Sequence, residues 1–200
     1  MRRVWGILLL FILAISGCVS EESSTGGVFL DGKNVLMIIA PENFRDEEFM
    51  EPKEVLENYG ATVTVASKGT ESAKGKLGAI VMVDKDIKEV DVNNYDAVVF
   101  VGGPGASIYF NDEIAQNIAK SAYESGKVLG AICIAPSTLA NAGILKGKKA
   151  TAFPSEKENL ENHGAIYTGA NVEVDGNIVT ANGPHAAAEF GEKIAELLKD

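Results

Sequence analysis

The feature of this chain that most strongly indicates covalent chemistry is Cys133. This residue ends the apolar run 127–133, and small residues then lead into a helical pattern that starts at Ser137. A cysteine held at such a strand-to-helix turn points out of the sheet, towards backbone N–H groups at the positive end of the helix. The pattern therefore predicts a nucleophilic Cys133 whose pKa lies below the ~8.5 of a free cysteine.

Glu48 is the carboxyl group best placed to assist this thiol. Five carboxylates lie in 42–52, and acids in a first helical turn commonly do no more than complement the helix dipole. Glu48, however, would share one helical face with Pro52 and the apolar Val55 and Leu56, so we expect it to face inward. A buried carboxyl group tends to stay protonated and can donate a hydrogen bond to a neighbouring thiolate.

Two further loops contain residues that could complete a site around the thiol. Gly102 and Gly103 lack the pattern of a P-loop or a dinucleotide fingerprint. Glycines there would let backbone N–H groups approach a developing oxyanion, although such a loop taken alone is most often a tight turn. Gly183 and Pro184 precede His185, whose imidazole could move a proton near the thiol. The alternative for His185 is a surface residue that begins the last helix.

The N-terminal segment predicts export from the cytoplasm. Arg2 and Arg3 precede an apolar run that is shorter than the ~20 residues a membrane-spanning helix needs. We interpret residues 1–18 as a signal peptide of lipoprotein type with Cys18 as the lipidated residue, and an uncleaved signal anchor is the alternative. Residues 19–33 are predicted to form a flexible tether. The domain is then expected on the extracytoplasmic face of the membrane. Because one acyl chain binds a membrane only weakly, stable attachment would need a second acyl chain or a further contact with the membrane.

The composition excludes several classes of protein. The formal net charge is −10, and removal of residues 1–18, which contain two arginines and no acid, makes it −12. Such a surface argues against nucleic acid as a partner, because phosphate binding relies on clustered Lys and Arg. The only cysteines are Cys18 and Cys133, so acylation of Cys18 would exclude a disulfide framework. Two histidines and one free cysteine fall short of a zinc site, and we expect no metal.

Apolar strand-like runs alternate with amphipathic helical patterns over residues 34–200, which is enough for one domain with a full core. A strand at 34–40 and a helix at 47–59 open a βαβ unit. The runs 96–101 and 127–133 are almost wholly apolar, as strands buried on both faces are. This order predicts a doubly wound, mostly parallel α/β sheet with helices on both faces, whose sites lie beyond the carboxyl ends of the strands.

Four motifs in this order resemble those of the ThiJ/PfpI family, which includes the parkinsonism-associated protein deglycase and archaeal intracellular proteases. The motifs are Ala131-Ile132-Cys133-Ile134-Ala135-Pro136, Glu48 four residues before Pro52, Tyr95-Asp96-Ala97 running to Gly102-Gly103, and Gly183-Pro184 running to Glu189-Phe190. The resemblance spans residues 34–198, and its specificity lies in the whole set of motifs.

The resemblance implies a flavodoxin-like fold and a set of site residues. Cys133 would be the nucleophile at an elbow and Glu48 its hydrogen-bonding carboxyl group, with the backbone N–H groups of Gly103 and Ile134 as the oxyanion hole. The Gly183-Pro184 loop would line the pocket. Family members commonly dimerise or form larger rings, so we expect a homodimer or a higher homo-oligomer.

The chain departs from the family patterns at positions that matter for peptide hydrolysis. The protease members have a histidine directly after the cysteine, where Ile134 stands, and an acid where Ala106 and Ser107 stand. The deglycase-type members have a histidine before the later proline, where Phe153 stands. Without an imidazole beside Cys133, the Cys-His arrangement that drives peptide hydrolysis is missing.

Three functions remain open from the sequence. The first is a cofactor-independent enzyme of glyoxalase or deglycase type that acts on small reactive carbonyls such as methylglyoxal or on their early protein adducts. A thiolate adds to an aldehyde without a dedicated base, so the missing histidine harms this reaction less than proteolysis. The second is a non-catalytic thiol that reports stress by oxidation to a sulfinate, or a chaperone-like stress protein. The third is a cysteine peptidase of the intracellular-protease type with a peptide substrate.

Overall fold

The computed structural model describes Met1 and residues 29–199 of the chain. The predicted lipidation of Cys18, the signal peptide and most of the tether therefore lie outside the described residues. Leu30 is buried, and its N–H group donates to the carbonyl oxygen of Tyr59 at 2.6 Å. The folded domain thus includes the last part of the segment predicted as a tether. Within residues 29–199, no helix is long and apolar enough to cross a bilayer.

The described part of the chain alternates short strands with helices. The strands are β1 (Asn34–Ile38), β2 (Glu42–Phe44), β3 (Thr62–Ser67), β4 (Ser72–Gly75), β5 (Ile80–Met82), β6 (Lys85–Asp86), β7 (Ala97–Phe100), β8 (Val128–Ile132), β9 (Lys149–Ala150), β10 (Ile166–Tyr167), β11 (Val172–Asp175) and β12 (Ile178–Ala181). The α-helices are α1 (Asp46–Asn58), α2 (Glu113–Glu124), α3 (Pro136–Asn141), α4 (Lys157–Asn162) and α5 (Ala187–Lys199). The predicted first helix is confirmed to within one residue at each end.

Seven strands form the central sheet, in the order β11-β12-β8-β7-β1-β3-β6. Every neighbouring pair is parallel except β11 and β12, which are antiparallel. Helices cover both faces, with α1 packed against α5 in one group and α2, α3 and α4 in the other. The prediction of a flavodoxin-like, doubly wound, mostly parallel sheet is confirmed.

Burial and small residues explain how the layers pack. Every residue of β7 and β8 is buried, as expected for strands that are covered by helices on both faces. Gly130 in β8 allows α5 to approach closely, since a methyl group there would lie 2.9 Å from the Phe190 ring and 3.0 Å from Ile194. Gly191 in α5 likewise allows close contact with α1, because a methyl group would lie 2.8 Å from the Cα of Pro52.

The strand order decides which loops meet. β12, β8, β7 and β1 are consecutive and parallel, so their carboxyl ends lie at one edge of the sheet. The loops that follow them contain the residues singled out in the sequence, although these are far apart along the chain. Such an edge is where α/β sheets place their sites.

Candidate active site

Cys133 lies directly after β8 in a strained backbone conformation. Its φ is 64°, in the left-handed region that costs a non-glycine residue about 1–2 kcal/mol. Two hydrogen bonds fix the conformation: the N–H group of Cys133 donates to the carbonyl oxygen of Ala181 at 2.8 Å, and its carbonyl oxygen accepts from the N–H group of Phe153 at 2.7 Å. Strain of this kind persists only where surrounding structure enforces it, and it is concentrated at functional sites.

Gly102 lets three elements converge on the thiol. A methyl group at this position would lie 2.5 Å from the Cβ atom of Cys133 and 2.6 Å from the carbonyl oxygen of Ile132, and it would also collide with the carboxyl group of Glu48. The carbonyl oxygen of Gly102 accepts from the N–H group of Arg45 at 3.0 Å, which joins the loop to the start of α1. A glycine is therefore required here for Glu48 to reach the nucleophile.

Glu48 is fully buried on α1, at 0% exposure. Burial raises the pKa of its carboxyl group to about 7, although the neighbouring Cys133 thiol and the charge of Arg45 act to lower it. Among the described residues, neither carboxyl oxygen has a hydrogen-bond partner of good geometry. The prediction that Glu48 faces inward is confirmed, and its carboxyl group can gain or lose a proton near neutral pH.

The expected low pKa of the Cys133 thiol is wrong for this structure. Burial, and after it the charge of Glu48, raises the pKa of the thiol to about 12, and hydrogen bonds from the N–H groups of Gly103 and Ile134 offset only part of this increase. The residue is 9% exposed, so little water reaches the sulfur. The helix α3 also has only six residues and begins three positions beyond the thiol, which limits the effect of its dipole.

The N–H groups of Gly103 and Ile134 lie beside the nucleophile. Both groups lower the pKa of the Cys133 thiol, because an N–H group that faces the sulfur favours its charged form. Gly103 has a φ of 92°, and a side chain there would collide with the backbone of Arg45, the residue that precedes α1. These two donors therefore lie where negative charge would develop during attack by the sulfur.

A cavity of about 420 Å³ opens onto the thiol. Its lining consists of residues from the loops at the carboxyl edge of the sheet: Arg45, Glu48, Lys76, Gly103, Pro104, Cys133, Ile134, Phe153, Ser155 and Pro184. Of the Gly183-Pro184 loop, Pro184 lines the cavity and Gly183 does not, although a methyl group at Gly183 would lie 3.8 Å from the Phe153 ring. The cavity is large enough for a small molecule, and one wall is apolar.

His185 does not belong to this cavity. Its ring is exposed, and Nε2 lies 3.2 Å from Oδ1 of Asn171. The turn Pro184–Ala186 directs Pro184 to the cavity and places the following side chain at the surface. His163 is also exposed and bonds to the carbonyl oxygen of Asn159. Neither histidine therefore lines the cavity, and the structure gives no support to the predicted catalytic role of His185.

Two cations at the cavity were not identified from the sequence. Arg45 is the only arginine after Arg3, and its guanidinium pairs with Glu47 at 2.8 Å. Lys76 lies in the β4–β5 hairpin, which Asp46 holds by accepting hydrogen bonds from the N–H groups of Leu77 and Ala79, both at 2.8 Å. No local pattern marks Lys76, because its position depends on this contact between α1 and the hairpin.

No group of three or more His, Cys, Asp or Glu side chains within residues 29–199 is arranged to hold a metal ion.

The DJ-1/PfpI family model matches residues 33–197. The chain belongs to the DJ-1/PfpI family, and the resemblance to ThiJ/PfpI proteins is confirmed. An uncharacterized protein of Methanocaldococcus jannaschii is 40% identical, over 100% of this chain and 98% of its own length. A deglycase of Thermococcus kodakarensis is 34% identical over 82% of this chain and 99% of its own. A glutathione-independent glyoxalase of Caenorhabditis elegans is 30% identical over 84% and 89%.

A solved structure supports the same assignment. The ThiJ/PfpI domain protein from Brachyspira murdochii superposes with a TM-score of 0.81 at 36% identity. The match covers 84% of this chain and 98% of that protein.

Proposed function

We propose that this protein is a cofactor-independent, cysteine-dependent enzyme of glyoxalase or deglycase type that acts on small reactive carbonyls or their early protein adducts. The observation that carries the proposal is the buried pair of Cys133 and Glu48 in a cavity of small-molecule size, with the N–H groups of Gly103 and Ile134 beside the sulfur. The similarity to proteins named deglycase and glyoxalase supports it.

The pair supplies what the first step of such a reaction needs. Glu48, whose pKa is about 7, takes the thiol proton of Cys133 as a general base. The sulfur forms a bond to the aldehyde carbon, and the electrons of the carbonyl π bond move to oxygen. The N–H groups of Gly103 and Ile134 stabilise that oxygen, and return of the proton gives a thiohemiacetal.

Glu48 can also serve the later steps on methylglyoxal. The carbon bonded to sulfur loses its proton and the neighbouring carbonyl carbon gains one, while the hydroxyl proton passes from the oxygen of the former carbon to the oxygen of the latter. The product is the thioester of a hydroxy acid. Water then cleaves the thioester to lactate and restores the thiol of Cys133. The sum is the addition of one water, with one carbon oxidised and its neighbour reduced, so no external oxidant or cofactor is required.

The other two functions are less well supported. A peptidase of Cys-His type would need an imidazole at the thiol, and neither histidine lines the cavity. A redox sensor needs a readily formed thiolate, whereas burial and Glu48 raise the pKa of Cys133 to about 12.

The test is consumption of methylglyoxal by the purified protein. Cys133→Ala should abolish turnover, and Glu48→Gln should lower it by roughly 10²–10⁴-fold, the usual contribution of a general base. His185→Ala is the matched control and should keep the wild-type rate. A wild-type protein that turns over no aldehyde but forms a stable sulfinate with peroxide would support the sensor.

We also propose a lipid anchor at Cys18 and a location on the extracytoplasmic face of the membrane. The basic start, the short apolar run and the small residues before Cys18 support this proposal. The match to the Methanocaldococcus jannaschii relative extends over the whole chain, and hence over residues 1–18.

We also propose that the protein forms a homodimer or a higher homo-oligomer through an exposed apolar surface formed by α1 and β5. Met50, Ile80 and Met82 are 54%, 65% and 69% exposed, and β5 pairs on one side only, with β4, in its three-stranded sheet. An exposed apolar sheet edge is a site where strands of another chain can pair. Met82→Glu should shift the sedimentation of the protein to that of a monomer, and an unchanged distribution would exclude this face.

A further inference from the structure

Ser155 and Glu156 form a polar arrangement at the cavity that the proposed reaction does not use. Ser155 lines the cavity, and its hydroxyl group donates to Oε1 of Glu156 at 2.7 Å. The other carboxylate oxygen, Oε2, accepts from the hydroxyl group of Ser137 at 2.6 Å. Ser137 is fully buried in α3, the helix that follows the nucleophile. Glu156 therefore ties the cavity wall to the helix behind Cys133.

The direction of these hydrogen bonds decides what Ser155 offers to a ligand. A carboxylate only accepts hydrogen bonds, and a serine hydroxyl group has a single proton. Because Ser155 donates its proton to Glu156, only its oxygen lone pairs remain for a molecule in the cavity. Ser137 holds the carboxylate in place, since a buried hydroxyl group left without a partner is unfavourable.

A backbone hydrogen bond also connects the turn that contains Ser155 to the nucleophile. Ser155 lies in the short turn Pro154–Glu156. The residue before this turn, Phe153, donates its N–H group to the carbonyl oxygen of Cys133 at 2.7 Å. The turn is thus attached to the nucleophile at one end and to α3 at the other.

We propose that Ser155 recognises a hydrogen-bond donor on the substrate, and that Glu156 is the positioning residue that keeps the Ser155 hydroxyl group in its accepting orientation. The substrates selected are carbonyl compounds with a hydroxyl group on the carbon beside the reactive carbonyl, over analogues in which hydrogen replaces that hydroxyl group. The thiohemiacetal formed on Cys133 has such a hydroxyl group of its own. This inference rests on the proposed carbonyl chemistry of the cavity.

The rate of Cys133 alkylation tests the inference, because it can be measured whether or not the protein turns over a substrate. The rates of modification by chloroacetone and 1-chloro-3-hydroxyacetone, which differ by one hydroxyl group, are measured by intact mass and divided by the corresponding rates with glutathione. Wild-type protein should prefer the hydroxylated reagent about five-fold, as one neutral hydrogen bond would give. Ser155→Ala should abolish the preference. Glu156→Gln should reduce it, because an amide can donate to Ser155 and leave the serine proton free to point into the cavity.

Glu158→Gln is the matched control, because it removes the same charge from an exposed position on α4 and should keep the wild-type preference. Equal normalised rates for the two reagents in wild-type protein, or an unchanged preference in Glu156→Gln, would overturn the inference. A hydroxyl preference in a protein that turns over no aldehyde would leave the recognition intact and would count against the proposed function alone.

Discussion

Cys133 and Glu48 form a coupled pair in which the carboxyl group ionises first. Burial raises the pKa of Glu48 to about 7 and that of Cys133 to about 12, so the pair loses one proton near neutral pH and keeps the second to strongly alkaline pH. The sulfur is therefore activated by proton transfer to Glu48 as it attacks, and a standing thiolate is not needed.

The pH dependence of alkylation follows from this order of ionisation. The rate of Cys133 modification by iodoacetamide should rise as pH passes through about 7, because Glu48 becomes able to accept the thiol proton. Glu48→Gln should lack this rise, whereas Glu54→Gln, at an exposed position of the same helix, should keep it. A wild-type rate that increases only under strongly alkaline conditions would show that Glu48 does not assist the thiol.

The same residue should make the folding stability depend on pH. The pKa of Glu48 is about 7 in the folded state against 4.5 for an ordinary glutamate, so the folded state holds this proton more tightly. Stability is then greatest below about 4.5 and falls as pH rises through about 7. At 1.36 kcal/mol per pKa unit, the fall is about 3 kcal/mol.

Urea unfolding of wild-type protein and Glu48→Gln over this pH range measures the effect. The glutamine cannot ionise, so its free energy of unfolding should change by much less. Parallel curves for the two proteins would contradict the raised pKa of Glu48.

At the scale of elements, the site depends on the close approach of β8, α1 and the loop after β7. Gly102→Ala should destabilise the protein by about 1–3 kcal/mol, because the added methyl group collides with the Ile132 carbonyl oxygen and with Cys133. The displaced Glu48 should also assist the thiol less, so alkylation near neutral pH should slow.

Gly126→Ala provides the comparison for this variant. Gly126 has a φ of 69° with open space around it, so alanine there adds conformational strain without a collision. Thermal unfolding and iodoacetamide rates of both variants separate the two effects. Equal losses of stability, with normal alkylation in Gly102→Ala, would contradict the packing argument.

Local patterns predicted the elements and two of the reacting groups. Cys133 ends an apolar strand, and Glu48 shares a helical face with Pro52 and Leu56, all of which are visible within a few residues of sequence. The pKa of the thiol was not predictable in this way, because it depends on burial by three separate elements. The contact of the His185 ring was not predictable either, since the ring lies against Asn171, fourteen residues away along the chain.

At the scale of the whole molecule, the positive charges that line the cavity contrast with the negative net charge of the protein. The chain has a formal net charge of −10, yet Arg45 and Lys76 both line the cavity. The net negative charge of the protein repels anions, whereas these two cations favour anionic carbonyl compounds in the cavity, although Glu47 offsets part of the charge of Arg45. The location of the protein then decides which such compounds it meets.

That location is the last prediction, and it concerns residues 1–18. If Cys18 is lipidated, the protein should fractionate with membranes and be released by detergent, since a lipid chain and not a spanning helix would hold it. Cys18→Ser should release the mature domain into the soluble fraction or leave the precursor uncleaved, and Ser16→Ala, which keeps a small residue before the cleavage site, should change neither processing nor membrane attachment. Intact-mass analysis of the native protein decides the matter directly: a mass that includes Met1 and no lipid would disprove the anchor, whereas a chain that begins at Cys18 with added acyl mass would establish it.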